Sequence, residues 1–316
     1  MERTLEPIDL AGVTKVYFDT SAWNYVSKHG DRALIVRTVK HSGTVVLASV
    51  ISVGEILRTP EETLRRSMCS TIRELHGAGH LLEGPQDMAV SAAKAVRKGE
   101  KDWLLPRSGP GNTLDRCMRG LTSPPVEKIR AWLDNMDNNL SRFIDKMKPD
   151  TPDTTTRYCS PEVILRDDFL QTLCEFPASK ELRASVFEVR EMCQHCDIWM
   201  ALAATWAYII ELSTAHTPKS QGGKSRTSGP DVWQLAYLGV ADIFVTNDTN
   251  QLEAACRVSQ CLKFPRCVAP VKGFVRGIVD LARSPGGTQG RRPRRCQICG
   301  CRLAARVGMH ATPLAP

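Results

Sequence analysis

The segment KVYFDTSAWNYV, residues 15–26, decides how the rest of the chain is interpreted. Its apolar run at residues 16–18 predicts a buried strand, and Asp19 follows that run directly. Thr20 and Ser21 then open a segment with helical character, so a carboxylate lies where a strand ends and a helix begins. One aspartate in such a place can simply be a helix N-cap. Its meaning depends on whether other acids occupy similar places further along the chain.

The composition is that of a globular protein. The chain has 316 residues, of which 42% are hydrophobic and 24% are charged, enough for one large domain or two ordinary ones. The sequence shows no secretory signal, and its longest apolar run, at residues 198–210, is too short to span a bilayer. We therefore expect a cytoplasmic protein without membrane association, whose twelve cysteines are reduced thiols.

The positive charge is concentrated at the end of the chain. Residues 283–316 contain seven arginines and no acidic residue, and the net charge of the whole chain is +8. The body of the protein is therefore nearly neutral, and its overall charge is weak support for a nucleic-acid partner. The run at residues 291–295 could contact phosphates nonspecifically, and a solvated tail without a dedicated partner explains it equally well.

Two cysteine clusters have part of the ligand set of a tetrahedral zinc site. Cys193 and Cys196 lie in a helical pattern, and a second cluster lies in the basic tail. Each cluster lacks a complete set of four ligands, so core thiols are favoured for the first and an unstructured tail for the second. The tail cluster consists of Cys296, Cys299 and Cys301.

The apolar pattern predicts two α/β segments separated by a long helical block. Strands are predicted at residues 14–19, 44–48, 243–246 and 267–269, and the continuous apolar run at 44–48 is typical of a strand covered on both faces. Helical spacing dominates the middle of the chain, where 161–176 and 179–212 each form one predicted helical segment. The polar, Gly/Ser-rich residues 216–230 predict a flexible loop. The predicted divisions are an α/β core at 14–60 and 216–283, an all-helical insertion at 61–215, and a basic, disordered tail at 284–316.

Three further acids accompany the predicted strands. Glu55 lies one helical turn beyond the second strand, Asp231 opens a helix, and Asp248 directly follows a strand. Because the carboxyl ends of parallel strands meet at one edge of a sheet, Asp19 and Asp248 should approach each other there, and the other two acids can join them from adjoining helices. Four carboxylates without matching bases repel one another, and a hard cation such as Mg²⁺ or Mn²⁺ relieves that repulsion. Such a site can activate water and neutralise charge on a phosphodiester.

Each acid also has a purely structural interpretation. Asp19, Asp231 and Asp248 can be helix N-caps, and Glu55 can be an exposed helix charge. Taken one at a time, these interpretations are favoured. The order of all four, each attached to its own apolar strand or helix, favours a shared site.

The sequences YFDTSAW at 17–23, SVGEIL at 52–57 and PDVWQLAYLGVADIFVTND at 230–248 resemble the PIN-domain nucleases. The resemblance covers roughly residues 14–58 and 229–283. It implies an α/β fold, namely a PIN-like three-layer α/β/α arrangement with a central, mostly parallel sheet, here interrupted by the helical insertion. It also implies a metal-dependent endoribonuclease that hydrolyses RNA phosphodiester bonds with one or two Mg²⁺ or Mn²⁺ ions.

The family pattern assigns roles to individual residues. It implies that Asp19, Glu55, Asp231 and Asp248 are the catalytic, metal-binding acids, with Thr246 as the hydroxyl beside the last acid and Asn24 as a polar support near the first. The chain departs from compact members of the family in the long interval between Glu55 and Asp231. That interval leaves Asp197, which opens an apolar helix, as a second candidate for the third acid. Asp231 is preferred because a strand and Asp248 follow it at short range.

Other functions remain as alternatives. The α/β core could be a non-catalytic PIN-like module that binds RNA or protein, including an antitoxin partner in a toxin–antitoxin pair, and a DNA nuclease is a lesser alternative. The stretch GGKS at 222–225 lacks the preceding glycine of a phosphate loop, because Pro218 occupies that position. A haloacid-dehalogenase-like phosphatase requires a second acid where this chain has Ser21.

Overall fold

The computed structural model describes residues 14–41, 44–76, 81–98, 124–147, 158–214 and 229–283. Four strands and a larger number of helices make up these ranges, so the described part is mostly helical. The strands are β1 (Thr14–Phe18), β2 (Thr44–Leu47), β3 (Ile243–Thr246) and β4 (Cys267–Pro270). The helices are α1 (Thr20–Ser27), α2 (Arg32–His41), α3 (Val50–Arg58), α4 (Glu62–Leu75), α5 (Pro85–Arg97), α6 (Pro124–Met147), α7 (Pro161–Ile164), α8 (Asp167–Cys174), α9 (Pro177–Leu182), α10 (Val186–His195), α11 (Asp197–Thr214), α12 (Gly229–Gln234), a 3₁₀ helix (Leu235–Gly239), α13 (Thr249–Gln260) and α14 (Val271–Arg283).

The sheet has the strand order β2-β1-β3-β4, and every pair is parallel. Val16 pairs with Val46, and Tyr17 pairs with Phe244. The chain leaves β1 for β2 on one side and later returns to β3 on the other side. The gap beyond the carboxyl ends of β1 and β3 is therefore the topological switch point, the place where open α/β sheets bind ligands.

Hydrophobic cores cover both faces of the sheet. Because successive side chains of a strand point in opposite directions, Tyr17 packs into one core while its neighbours Val16 and Phe18 pack into the other. The core around Tyr17 is built with α5, α11, the 3₁₀ helix and α13. The opposite core is built with α1, α2, α4 and α14. The expected α/β arrangement with a parallel sheet is thus present.

The helical block is packed directly against this sheet. Its helix α4 belongs to one core, whereas α5 and α11 belong to the other, where they contact the same cluster as β1 and β3. Helix α11 is apolar on almost all sides and is buried, as its sequence predicts. Gly239 explains part of this close packing, because a Cβ there would lie 2.4 Å from the Cα of Ile198. The division into a core at 14–60 and 216–283 and an insertion at 61–215 stays a prediction.

Two of the predicted helical segments are interrupted. The segment predicted at 161–176 consists of α7 and α8, and the one predicted at 179–212 is divided among α9, α10 and α11. Arg183 ends α9 in the left-handed conformation, with φ 51°, and Ser185 begins the next helix as the N-cap of a capping box with Glu188. Apolar spacing continued across these short breaks and concealed them.

In the described ranges, no helix combines the length and the hydropathy that a membrane span requires. Residues 216–228 of the predicted flexible loop lie outside the described residues, and residues 229–230 belong to α12. The predicted tail at 284–316, with its cysteine cluster and its arginine run, lies wholly outside the described residues.

Candidate carboxylate site at the sheet edge

Asp19 occupies the switch point beside β3. Its backbone N–H donates to the carbonyl of Val245 at 3.1 Å, which extends the pairing of β1 and β3 by one residue. Its Oδ1 accepts from the backbone N–H of Ala22 at 2.7 Å and from the hydroxyl of Ser21 at 2.8 Å, so Asp19 is the N-cap of α1. The residue is only 3% exposed.

Burial makes the charged form of Asp19 costly. It raises the pKa of the carboxyl from 3.8 to about 7, against hydrogen bonds from Thr246, Ala22 and Ser21 that lower it. The negative charge of Asp231 raises this pKa further. Asp19 is therefore a helix cap as well as a carboxylate held in an unfavourable environment.

Glu55 reaches the same place from α3. Its Oε2 accepts from the hydroxyl of Thr20 and from the amide Nε2 of Gln234, both at 2.5 Å. Burial is the largest cause that raises the pKa of Glu55, followed by the charge of Asp231; the charge of Asp19 adds to this, and the Thr20 bond opposes it. Glu55 is half-buried, so its interpretation as an exposed helix charge is wrong.

Asp231 completes a group of three acids. It lies in the first turn of α12, and its charge raises the pKa values of both Asp19 and Glu55. Its carbonyl accepts from the amide of Gln251 at 2.6 Å, which ties α12 to α13. Gly229 permits α12 to approach α6, because a Cβ there would lie 2.9 Å from the carbonyl of Met136. The three acids thus arrive from three different elements and act on one another electrostatically.

Asp248 lies on the exposed side of this group. Its Oδ1 accepts from the backbone N–H groups of Asn250 and Gln251, at 2.7 and 3.0 Å, and caps α13. Its own backbone N–H donates to the hydroxyl of Thr246 at 2.9 Å. That hydroxyl lies 3.2 Å from the hydroxyl of Ser21, which in turn bonds Asp19. The hydroxyls of Thr246 and Ser21 therefore connect the backbone of Asp248 to the carboxylate of Asp19 at the switch point. The carboxylate of Asp248 itself caps α13.

Of the two residues predicted to support the acids, Thr246 lies beside Asp248 and accepts from its backbone N–H, and its supporting role stays a prediction. Asn24 lies on α1, and its Oδ1 is buried without a hydrogen-bond partner among the described residues. Its role near Asp19 stays a prediction.

The sequence interpretation missed the polar residues that hold the acids. Gln234 bridges Glu55 and Tyr17, because its Oε1 accepts from the Tyr17 hydroxyl at 2.9 Å. That hydroxyl also lies 2.9 Å from the Ser49 hydroxyl and 3.0 Å from that of Ser52. The only sequence signal for Gln234 is its position three residues after Asp231, on the same side of the helix.

Asp197, the second candidate for the third acid, lies elsewhere. It pairs with Arg266 at 2.5 Å, and Arg266 directly precedes β4. Asp242, which precedes β3, accepts from the backbone N–H of Lys15. These residues mark the amino ends of the strands, the edge opposite to the switch point. The structure brings Asp231, and not Asp197, to Asp19 and Glu55.

Cys193 and Cys196 are buried thiols, as the sequence favoured. Burial raises the pKa of both thiols, and the Cys193 Sγ lies 3.9 Å from the carbonyl oxygen of Trp199. Neither of these two thiols is in a disulfide.

The donor set at the switch point fits a hard divalent cation in its chemistry. It consists of carboxylate and hydroxyl oxygens with an excess of negative charge, which Mg²⁺ and Mn²⁺ prefer. Arg58 lowers the pKa of Glu55, but its guanidinium is held by Asp134 and Asp137. Within the described ranges, no three His, Cys, Asp or Glu side chains are close enough to hold one ion together. Mg²⁺ is commonly held by one or two carboxylates and several waters, so the residues fit that kind of site and not an all-protein cage.

Comparisons of the chain with protein-family models, with curated proteins and with solved structures find no match.

Proposed function

We propose that this protein is a metal-dependent ribonuclease of the PIN-like kind, which hydrolyses phosphodiester bonds in RNA at the switch point between β1 and β3. One observation carries the proposal. Asp19, Glu55 and Asp231 converge from separate elements, and the charge of Asp231 raises the pKa values of both Asp19 and Glu55, which burial also raises. Such an arrangement destabilises the protein by itself, and perturbed groups of this kind cluster at functional sites.

The residues have separate tasks in this proposal. One or two of Asp19, Glu55 and Asp231 would bind Mg²⁺ or Mn²⁺ directly and the rest through coordinated waters, with Asp248 on the exposed side where a substrate strand would arrive. When bound, the ion would lower the pKa of a coordinated water and offset the negative charge that develops on the phosphate. Thr20 and Gln234 fix the orientation of Glu55, and Ser21 fixes that of Asp19, so the carboxylates are preorganised.

The decisive experiment is incubation of the purified full chain with 5′-labelled single-stranded RNA, in Mn²⁺ and separately in EDTA. We expect cleavage with Mn²⁺ only. The variants Asp19→Asn and Asp231→Asn should reduce the rate by about a hundredfold or more, because several kcal/mol of charge stabilisation are lost. Circular dichroism should show that both variants are folded.

Asp168→Asn is the matched control, since Asp168 is an exposed acid at the start of α8, where it pairs with Arg166. It should cleave at the rate of the unmodified chain. Binding of RNA without cleavage in either condition would instead support a non-catalytic RNA-binding module. Turnover that is unchanged in Asp19→Asn would refute the assignment, and a parallel series with single-stranded DNA tests the preference for RNA. A protein partner of the antitoxin kind stays a prediction.

A further inference from the structure

A cavity of about 300 Å³ opens beside the carboxyl-terminal end of α3, the helix that also carries Glu55. Three arginines line it, and they come from three different segments of the chain: Arg58 from the end of α3, Arg65 from α4 and Arg130 from α6. Asp134 is the one acidic side chain among the described residues of the lining. The lining therefore carries more positive than negative charge, in contrast to the neighbouring switch point.

Two of the arginines are held in place by main-chain oxygens. Arg65 Nη1 donates to the carbonyl of Thr59 at 2.6 Å, and Arg130 Nη2 donates to the carbonyl of Leu57 at 2.7 Å. Both acceptors lie in the last turn and cap of α3, where free carbonyls accumulate. The guanidinium groups are thus fixed before any ligand arrives.

The same two arginines have unused donors. Among the described residues, the Nε atoms of Arg65 and Arg130 are buried and have no hydrogen-bond partner. A buried N–H group of a charged side chain without an acceptor is costly. Both residues line the cavity and are only partly buried, so a ligand that carries several acceptor oxygens and a negative charge can pair with their guanidinium groups and offset the cost of holding this positive charge there.

The third arginine links the cavity to the candidate site. Arg58 follows Glu55 by three residues on α3, and its charge acts on Glu55. Arg58 donates to Asp134 at 2.6 Å and to Asp137 at 3.0 Å. The side chain of Asp134 is 59% exposed, so it lies at the solvent side of the cavity. An anion in the cavity would therefore lie on the helix that carries Glu55, with Asp134 and Asp137 as its competitors for Arg58.

We propose that this cavity binds a phosphate group of an RNA backbone, on the nucleotides that flank the bond to be cleaved. The anion is argued from the three lining arginines, two of them fixed by main-chain carbonyls, because planar arginine forks match phosphate oxygens. The choice of RNA as its source rests on the proposed function.

The test measures binding without cleavage. A fluorescent oligouridylate is titrated with the full chain in EDTA, by anisotropy, over a series of salt concentrations. Replacement of the two anchored arginines, Arg65→Gln with Arg130→Gln, should weaken binding about tenfold at about 0.1 M salt. The slope of log K against log salt should fall by about 1 for each phosphate contact that is lost. Inorganic phosphate should compete with the oligouridylate on the unmodified chain and less on the double variant.

A variant that should bind the oligouridylate more tightly provides a second test if the double variant does not fold. Asp134→Asn removes the more exposed of the two carboxylates that compete for Arg58 and should tighten binding about threefold to fivefold. Its matched control is Asp168→Asn, another exposed aspartate paired with an arginine, which should bind like the unmodified chain. Equal changes in Asp134→Asn and Asp168→Asn would overturn the proposal, as would unchanged binding in a folded double variant.

The cleavage assay separates this inference from the proposed function. Mn²⁺-dependent cleavage together with unchanged binding in the arginine variants would refute the phosphate cavity alone. Weakened binding in those variants, with no cleavage under any condition, would refute the nuclease and leave the phosphate cavity in place.

Discussion

The buried carboxylate of Asp19 should make the metal-free protein less stable as the pH rises. Its pKa is 3.8 when exposed and about 7 in the fold. The native state therefore holds a proton that the unfolded chain has released between these values, and stability falls as pH rises through that interval. At about 1.4 kcal/mol for each pH unit, this one group costs the fold about 4 kcal/mol above pH 7.

Asp19→Asn removes that cost while keeping the shape of the side chain. Asparagine also accepts from the N–H of Ala22, so the cap of α1 is retained. Below about pH 4 the two proteins should unfold with nearly equal free energies. At pH 9 the variant should be more stable by about 2–4 kcal/mol, because it carries no buried charge and no longer repels Glu55.

The assay is urea unfolding in EDTA at pH 4, 6, 7 and 9, followed by the fluorescence of the six tryptophans. The quantity of interest is the difference between the two proteins, since other groups titrate in both. Asp248→Asn is the matched control: it replaces an exposed cap with an equally good one and should change stability by less than about 0.5 kcal/mol at each pH. A difference that is the same at pH 4 and pH 9 would refute the reasoning about Asp19.

Three further predictions concern the metal, the polar bridge and the packing. Mn²⁺ at about a hundred times its Kd should stabilise the chain by about 2.7 kcal/mol in thermal or urea unfolding, more at pH 8 than at pH 6, and should not stabilise Asp19→Asn. Gln234→Leu should destabilise the fold by about 1–3 kcal/mol in urea unfolding and slow RNA cleavage, because Glu55 loses a hydrogen-bond donor. Gly239→Ala should destabilise by more than about 2 kcal/mol in the same assay, because the added Cβ meets the backbone of Ile198.

A specific result would contradict each of these three predictions. Equal stabilisation of Asp19→Asn by Mn²⁺ would place the ion elsewhere. A Gln234→Leu protein with unchanged cleavage would show that the bridge does not orient Glu55. Gly277→Ala is the control for packing, since a Cβ at Gly277 has open space around it, and equal effects at both glycines would contradict the close approach at Gly239.

Local signals along the chain determined the elements that carry the site. The short apolar runs at 16–18 and 243–245 predicted β1 and β3 correctly, because the part of a strand that is covered on both faces must be apolar. The cap positions of both acids also followed from the sequence, since the residues after them open helices. The breaks inside the predicted helical segments did not follow, because apolar spacing continued across them.

Only the tertiary structure decided which acids act on one another. The strand order places β1 next to β3, and the packing of α12 against α6 brings Asp231, and not Asp197, to Asp19 and Glu55. Strand order and helix packing depend on contacts between residues far apart in the chain, which periodicity does not record. The same reason applies to Gln234 and to the arginine cavity, whose members come from segments that only the folded chain brings together.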